Sequence, residues 1–199
     1  MPTTLADIRD RIRKDLRDTD AAAYRWTDAQ LDRHIDHAMS ELSAAMPLEK
    51  SATVATTAGS RDLSLAGYTD LVNVETVEYP VASFPPSYAG FSTWATTLTI
   101  QSETVPTGGN AKLYYTARHT ADGSGTSLSP FQVDVLVTGA GAYAALEQSA
   151  YTADRVTTGK DVDERYAAYA RARLTAFRQL LLTYGRGNRV RGRRLYTPA

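Results

Sequence analysis

Two histidines one helical turn apart, His34 and His37, stand with Asp32, Asp36 and Glu41 in the stretch DRHIDHAMSEL. Side chains at i and i+3 can share a helical face, so these residue types could hold a divalent metal or run acid–base chemistry. The spacing is not that of a zinc-binding His-Glu-x-x-His helix, and the next histidine is His119. The group also lies off the stripe Leu31, Ile35, Ala38, on what reads as the solvated face of a surface helix. We therefore expect no metal, no cofactor and no catalytic residue here. The glycine-rich stretches 106–110 and 122–126 lack the Gly-Lys-Ser/Thr ending of a phosphate-binding loop and read as turn and linker. With zero Cys, thiolate catalysis, disulfides and cysteine-held metals are excluded. No nucleophile elbow or identifiable triad is present.

The stronger chemical signal is at the end of the chain. Nine of the 22 Lys and Arg are arginines at positions 165, 171, 173, 178, 186, 189, 191, 193 and 194, and none of the 22 Asp and Glu falls after Glu164. The chain is neutral overall, but residues 1–164 carry −9 and residues 165–199 carry +9. An asymmetry of this kind points to a polyanion or an acidic partner surface. The planar guanidinium fork suits carboxylate and phosphate alike. Gly185, Gly187 and Gly192 interrupt any apolar period, and Leu195 and Tyr196 add groups that a purely solvating tail would not need. The segment is expected to order against a partner. Its candidate binding residues are Arg186, Arg189, Arg191, Arg193, Arg194, Leu195 and Tyr196. Arg186, Arg189 and Arg191 could also meet DNA, through phosphates and without reading sequence.

The elements that would position these groups follow from periodicity. Thr4 can cap a first helix with the stripe Leu5, Ile8, Ile12 and Leu16, its remaining faces charged and read as solvated. In Trp26-Thr27-Asp28-Ala29-Gln30-Leu31, Thr27 and Gln30 form a capping box, and Trp26 can staple onto Leu31. The second helix then runs to Pro47. Beyond it the composition turns to Thr, Val, Ser, Tyr and Gly. Strands are expected over 53–57, 62–65, 71–79, 94–101 and 112–118, with Val72 and Val74 on one face and Leu98 and Ile100 on another. They should form a small antiparallel sandwich or barrel, with a proline-rich excursion over 79–90.

The stretch 119–129 reads as a flexible linker. Ser129-Pro130 should open a third helix. That helix is uncharged from Val135 to Leu146, so it belongs at the centre of a bundle or at a subunit interface. A break at 157–159 precedes a fourth helix, 160–184, with the seam Val162, Tyr166, Tyr169, Ala170, Leu174, Phe177, Leu181 and Tyr184. The fold class is thus α+β: an antiparallel-type bundle of about four helices with an inserted antiparallel β domain and an extended basic tail. The divisions are 1–50 (helical hairpin), 51–118 (β insertion), 119–130 (linker), 131–184 (later helices) and 185–199 (docking tail). No apolar run approaches the roughly 18 residues that span a bilayer. The opening MPTTLADIRDRIRKDL alternates charge where a signal peptide has an apolar block, so neither secretion nor membrane insertion is expected.

The segments TLADIRDRIRKDLRDTD and YRWTDAQLDRHIDHAMSELS, closed by Pro47, resemble the openings of head–tail connector (adaptor, or head-completion) proteins of tailed bacteriophages. The later helices and the basic tail suit that family too. The resemblance implies a structural, non-enzymatic protein of the virion head–tail junction, assembled in the host cytoplasm. It implies a homo-oligomeric ring, commonly of twelve subunits, on the portal protein. Such a ring extends the DNA channel and offers a surface to a downstream tail or neck protein. The tail residues named above would dock on acidic portal surface or on packaged DNA, and the mixed-charge helices would meet neighbouring subunits. The alternatives are a non-specific nucleic-acid-binding protein using its arginine tail, and another tail-completion protein.

Overall fold

The computed structural model describes residues 3–153 and 161–185. They divide into two compact units, a helical one built from the described residues up to Met46 and from His119 onward, and a strand unit from Pro47 to Arg118.

In the helical unit, α1 (Leu5–Leu16) starts at Thr4. The Thr4 hydroxyl accepts from the Asp7 N–H, and the Asp7 carboxylate accepts from the Thr4 N–H. α2 (Asp28–Ala45) repeats the device with Thr27 and Gln30. α3 (Pro130–Ala153) opens in the same way, the Ser129 and Gln132 side chains each accepting from the other's backbone N–H. Reciprocal capping satisfies amides that a helix start leaves without partners. α4 (Asp161–Tyr184) completes the unit. The stripes Ile8, Ile12, Leu16 and Leu31, Ile35, Ala38, Met39, Leu42 meet Val133, Leu136, Ala140, Ala144, Ala170 and Phe177 in one core. α3 packs on each of α1, α2 and α4, which is why it lacks charge along its middle. At Gly139 a Cβ would sit 2.8 Å from the buried Phe177 ring, so the glycine sets how closely α3 and α4 approach.

The stretch 119–129, expected as a flexible linker, carries hydrogen bonds of its own. Asp122 accepts at one carboxylate oxygen from the N–H groups of Ser124 and Gly125, and its own N–H donates to the Gly125 carbonyl. Ala121 bridges Thr126, and the Asp122 carbonyl receives the Leu5 N–H at the start of α1. Side-chain capture of the backbone by Asp, Ser and Thr turns a linker-like composition into a folded turn.

The strand unit contains β1 (Leu48–Ala55), β2 (Asp62–Ser64), β3 (Leu71–Glu78), β4 (Tyr88–Trp94), β5 (Thr97–Gln101) and β6 (Asn110–Ala117). They form one antiparallel sheet in the order β1-β6-β3-β4-β5-β2, with β1 and β2 at opposite edges; a small antiparallel sandwich or barrel was expected. β1 begins five residues before the expected Thr53, and β4 occupies part of the expected proline-rich excursion and had no counterpart in the sequence reading. Most of its residues are exposed, so no apolar alternation marks it, and Ala95, at φ 50, makes the turn to β5 without glycine. Val72 and Val74 do not share a face. The register steps from Leu71↔Ala117 to Asn73↔Thr116, leaving Val72 as an extra, exposed residue while Val74 is buried. Leu98 and Ile100 are both buried, with Leu63, Val77 and Leu113.

Candidate assembly surface

The charges of α1, read above as solvated, turn out to be largely engaged within the helical unit. Arg13 is 5% exposed and donates to Asp18 and Asp28, both at 2.8 Å, with its guanidinium 3.6 Å above the Tyr24 ring. It lies one position past the apolar Ile12, so the packing that covers the stripe covers Arg13 as well. Asp18, 7% exposed, also accepts from the N–H groups of Arg25 and Trp26, tying the connector between α1 and α2, residues 18–25, to α1. Arg9 forks onto Asp32 at 2.6 and 2.7 Å, Arg11 reaches Asp134, and Arg173 reaches Asp15. The Asp28 carboxyl is held below its ordinary range, mainly by the hydrogen bond from Arg13.

The two histidines of α2 part company. His34 is buried, contrary to the solvated face expected for it: position 34 is three past Leu31 and four before Ala38, which puts it on the edge of the stripe that α3 covers. Its Nε2 lies 2.6 Å from Glu147 on α3, which also pairs with Arg33. Burial raises the Glu147 carboxyl, but the hydrogen bonds from His34 and Arg33 outweigh it and the net shift is downward. His37 pairs instead with Glu41 and packs edge-on against Tyr143, whose hydroxyl donates to Glu41 at 2.5 Å. Burial, reinforced by Glu41, pushes the Tyr143 phenol up to about 12. Among the described residues no three His, Asp or Glu side chains converge as a metal-ligand set.

His119 is 4% exposed, and its Nε2 lies 3.0 Å from the Met46 carbonyl, its Nδ1 3.0 Å from the Ser127 hydroxyl. A carbonyl only accepts, so the neutral ring carries its proton on Nε2. Burial lowers its pKa below 6.5, against the opposing effect of those hydrogen bonds. The unfolded chain then binds more protons than the folded one just below pH 6.5, so the stability contributed by neutral His119 falls as pH drops through that value. Thermal melts between pH 8 and pH 5 should show a steeper loss in the wild-type chain than in His119→Gln. Parallel curves would contradict this assignment.

The tail residues Arg186, Arg189, Arg191, Arg193, Arg194, Leu195 and Tyr196 lie outside the described residues, as does the expected break at 157–159. What the described surface does offer was not legible beforehand. Arg17, Arg25 and Arg165 line a cavity of about 520 Å³ with Asp15, Leu16, Tyr166 and Tyr169. In the strand unit Phe84 and Trp94 are 99% and 86% exposed, too open to serve a core. The one clue to the cavity was Arg165, a cation in the first turns of a helix whose dipole favours acids there. Nothing in the sequence marked Trp94 as exposed, since an aromatic residue at the start of an expected strand normally counts toward the core, and Phe84 falls in the expected proline-rich excursion, where no periodicity sets its exposure.

Exposed aromatics and an arginine-lined cavity are the features by which a protein surface meets a partner. The sequence model of the SU10 adaptor protein family matches residues 3–198, and the chain belongs to that family. It is accordingly a bacteriophage structural adaptor, a virion protein that meets other head and tail proteins. No curated protein matches the chain. Among the described residues, no helix is long and apolar enough to cross a membrane.

Proposed function

We propose that twelve copies of this chain close into a ring on the portal protein, extend the DNA channel and present the next docking surface to a downstream tail or neck protein. The observation that carries the reading is the adaptor-family match over residues 3–198. In this reading the helices of 1–50 and 131–184 act as a bundle forming the ring body, 51–118 is an insertion facing a neighbour, and 185–199 is the docking arm. Arg186, Arg189, Arg191, Arg193 and Arg194 meet acidic portal surface, Leu195 and Tyr196 anchor apolar contacts, and Arg186, Arg189 and Arg191 can touch channel DNA. The protein works by assembly, without catalysis and without a cofactor.

Cryo-electron microscopy of the chain mixed with its portal protein tests this directly: rings seated on the portal are expected, and a chain that stays monomeric beside it overturns the proposal. Truncation after Tyr184 should abolish portal attachment with little change in duplex affinity. The charge asymmetry of the chain also suits a nucleic-acid-binding reading. That reading requires the same truncation to lower duplex affinity and flatten its salt dependence. Adjacency of the gene to portal and capsid genes separates an adaptor from a tail-completion protein.

A further inference from the structure

The arginine cavity belongs to the helical unit alone. Arg17 is the C-cap of α1, in the left-handed region at φ 55; Arg25 ends the connector; Arg165 stands early on α4. All three are exposed, and among the described residues no carboxylate lies within ion-pair distance of any of them. The one acid lining the cavity, Asp15, is engaged by Arg173. The Arg25 guanidinium lies 5.7 Å from the Trp26 ring and 5.6 Å from the Tyr166 ring. Stacking a guanidinium on aromatic faces leaves its N–H edge open for a two-pronged carboxylate contact. Leu16, Tyr166 and Tyr169 supply apolar wall for the methylenes of a glutamate, and a cavity of this volume takes a few side chains. An acidic peptide segment fits this chemistry.

Other cations of the helical unit, Arg9, Arg11, Arg13, Lys14, Arg33 and Arg173, are paired within it. The chain meanwhile carries an excess of acid up to residue 164. In the strand unit Glu49 on β1 and Glu103 after β5 are exposed, and among the described residues no cation lies within ion-pair distance of either. Among the described residues, one unit thus presents a cationic cavity and the other carries carboxylates with no cation within ion-pair distance. A heterologous ring needs two such complementary faces on every subunit.

We propose that the Arg17–Arg25–Arg165 cavity is a socket for a second copy of the chain, which inserts an acidic segment of its strand unit, Glu49 or Glu103, a step that rests on the ring reading above. The test compares the full-length wild type with Arg25→Glu/Arg165→Glu, Glu49→Arg/Glu103→Arg and the four-fold combination. Self-association is followed by sedimentation velocity with and without portal protein, folding by circular dichroism, and socket chemistry by calorimetric titration with hexaglutamate. Each double variant should fold normally and weaken self-association by about tenfold or more, and the combination should recover part of the loss. Hexaglutamate should bind the wild type, with strong salt dependence, and not the arginine variant. Unchanged rings with the arginines reversed overturn the socket and leave the ring reading standing. Hexaglutamate binding without any effect on self-association overturns the second copy as occupant in favour of another acidic protein. Duplex DNA binding that is lost with the same arginines, in place of hexaglutamate binding, overturns the acidic-peptide assignment. A wild-type chain that never associates, even with portal protein, overturns the ring reading together with this use of the socket.

Discussion

Replacing Asp18 with alanine is expected to destabilise the helical unit by about 3–5 kcal/mol, the usual cost of stripping one partner from a buried ion pair. Asp18 and Arg13 are 7% and 6% exposed at their side chains, and the carboxylate receives one guanidinium N–H and two backbone N–H groups. Without it the buried Arg13 charge keeps only the exposed Asp28, and the amides of Arg25 and Trp26 lose their acceptor. The connector and the start of α2 loosen together, because the same carboxylate orders both. Asp18→Asn, which retains an acceptor but not the charge, should fall between wild type and alanine in urea denaturation followed by circular dichroism. Asp18→Ala unfolding at the wild-type midpoint would show that the pair contributes nothing net.

Trp26→Ala should have an effect of the same size, about 3–5 kcal/mol, set by lost apolar burial and the cavity left behind. Trp26 is 1% exposed, its indole N–H donates to the Ala144 carbonyl of α3 at 3.3 Å, and its ring meets Tyr166 of α4 edge-on at 6.4 Å. One side chain therefore joins the connector to two helices. Trp26→Phe keeps part of the volume and loses the N–H, so it should be milder. The chain has two tryptophans and the other, Trp94, is 86% exposed. In a Trp94→Phe background, Trp26 emission should be blue-shifted and shift red at the same urea concentration as the helical signal. A red-shifted native spectrum would contradict its burial.

These two residues differ in how far the sequence revealed them. Trp26 was expected at the head of a capped helix, and the structure buries it there, with Leu31 in the same core. Its bond to Ala144 and its contact with Tyr166, more than a hundred residues away, had no sequence signal. Asp18, between α1 and α2, carried no sequence signal of its role. Its role depends on Arg13 being covered, and a charged residue one place past an apolar stripe is solvated or buried according to what packs over it. His34 follows the same rule, its burial supplied by α3.

What the sequence by itself determined is the local structure whose causes lie within a turn or two. These are the Thr4, Thr27 and Ser129 starts, the apolar stripes of α1 and α2, the stop before Pro47, and an uncharged α3 that had to be covered. Capping and periodicity act over three or four residues, so residue types at fixed spacing suffice to state them. Only the tertiary structure decided the open sheet order, the exposed β4, the folding of 119–129 onto α1, the burial of Arg13 and His34, and the gathering of Arg17, Arg25 and Arg165 around one cavity. Each of these depends on groups far apart in the chain, and their meeting is set by how the helices and strands pack, which residue spacing does not encode.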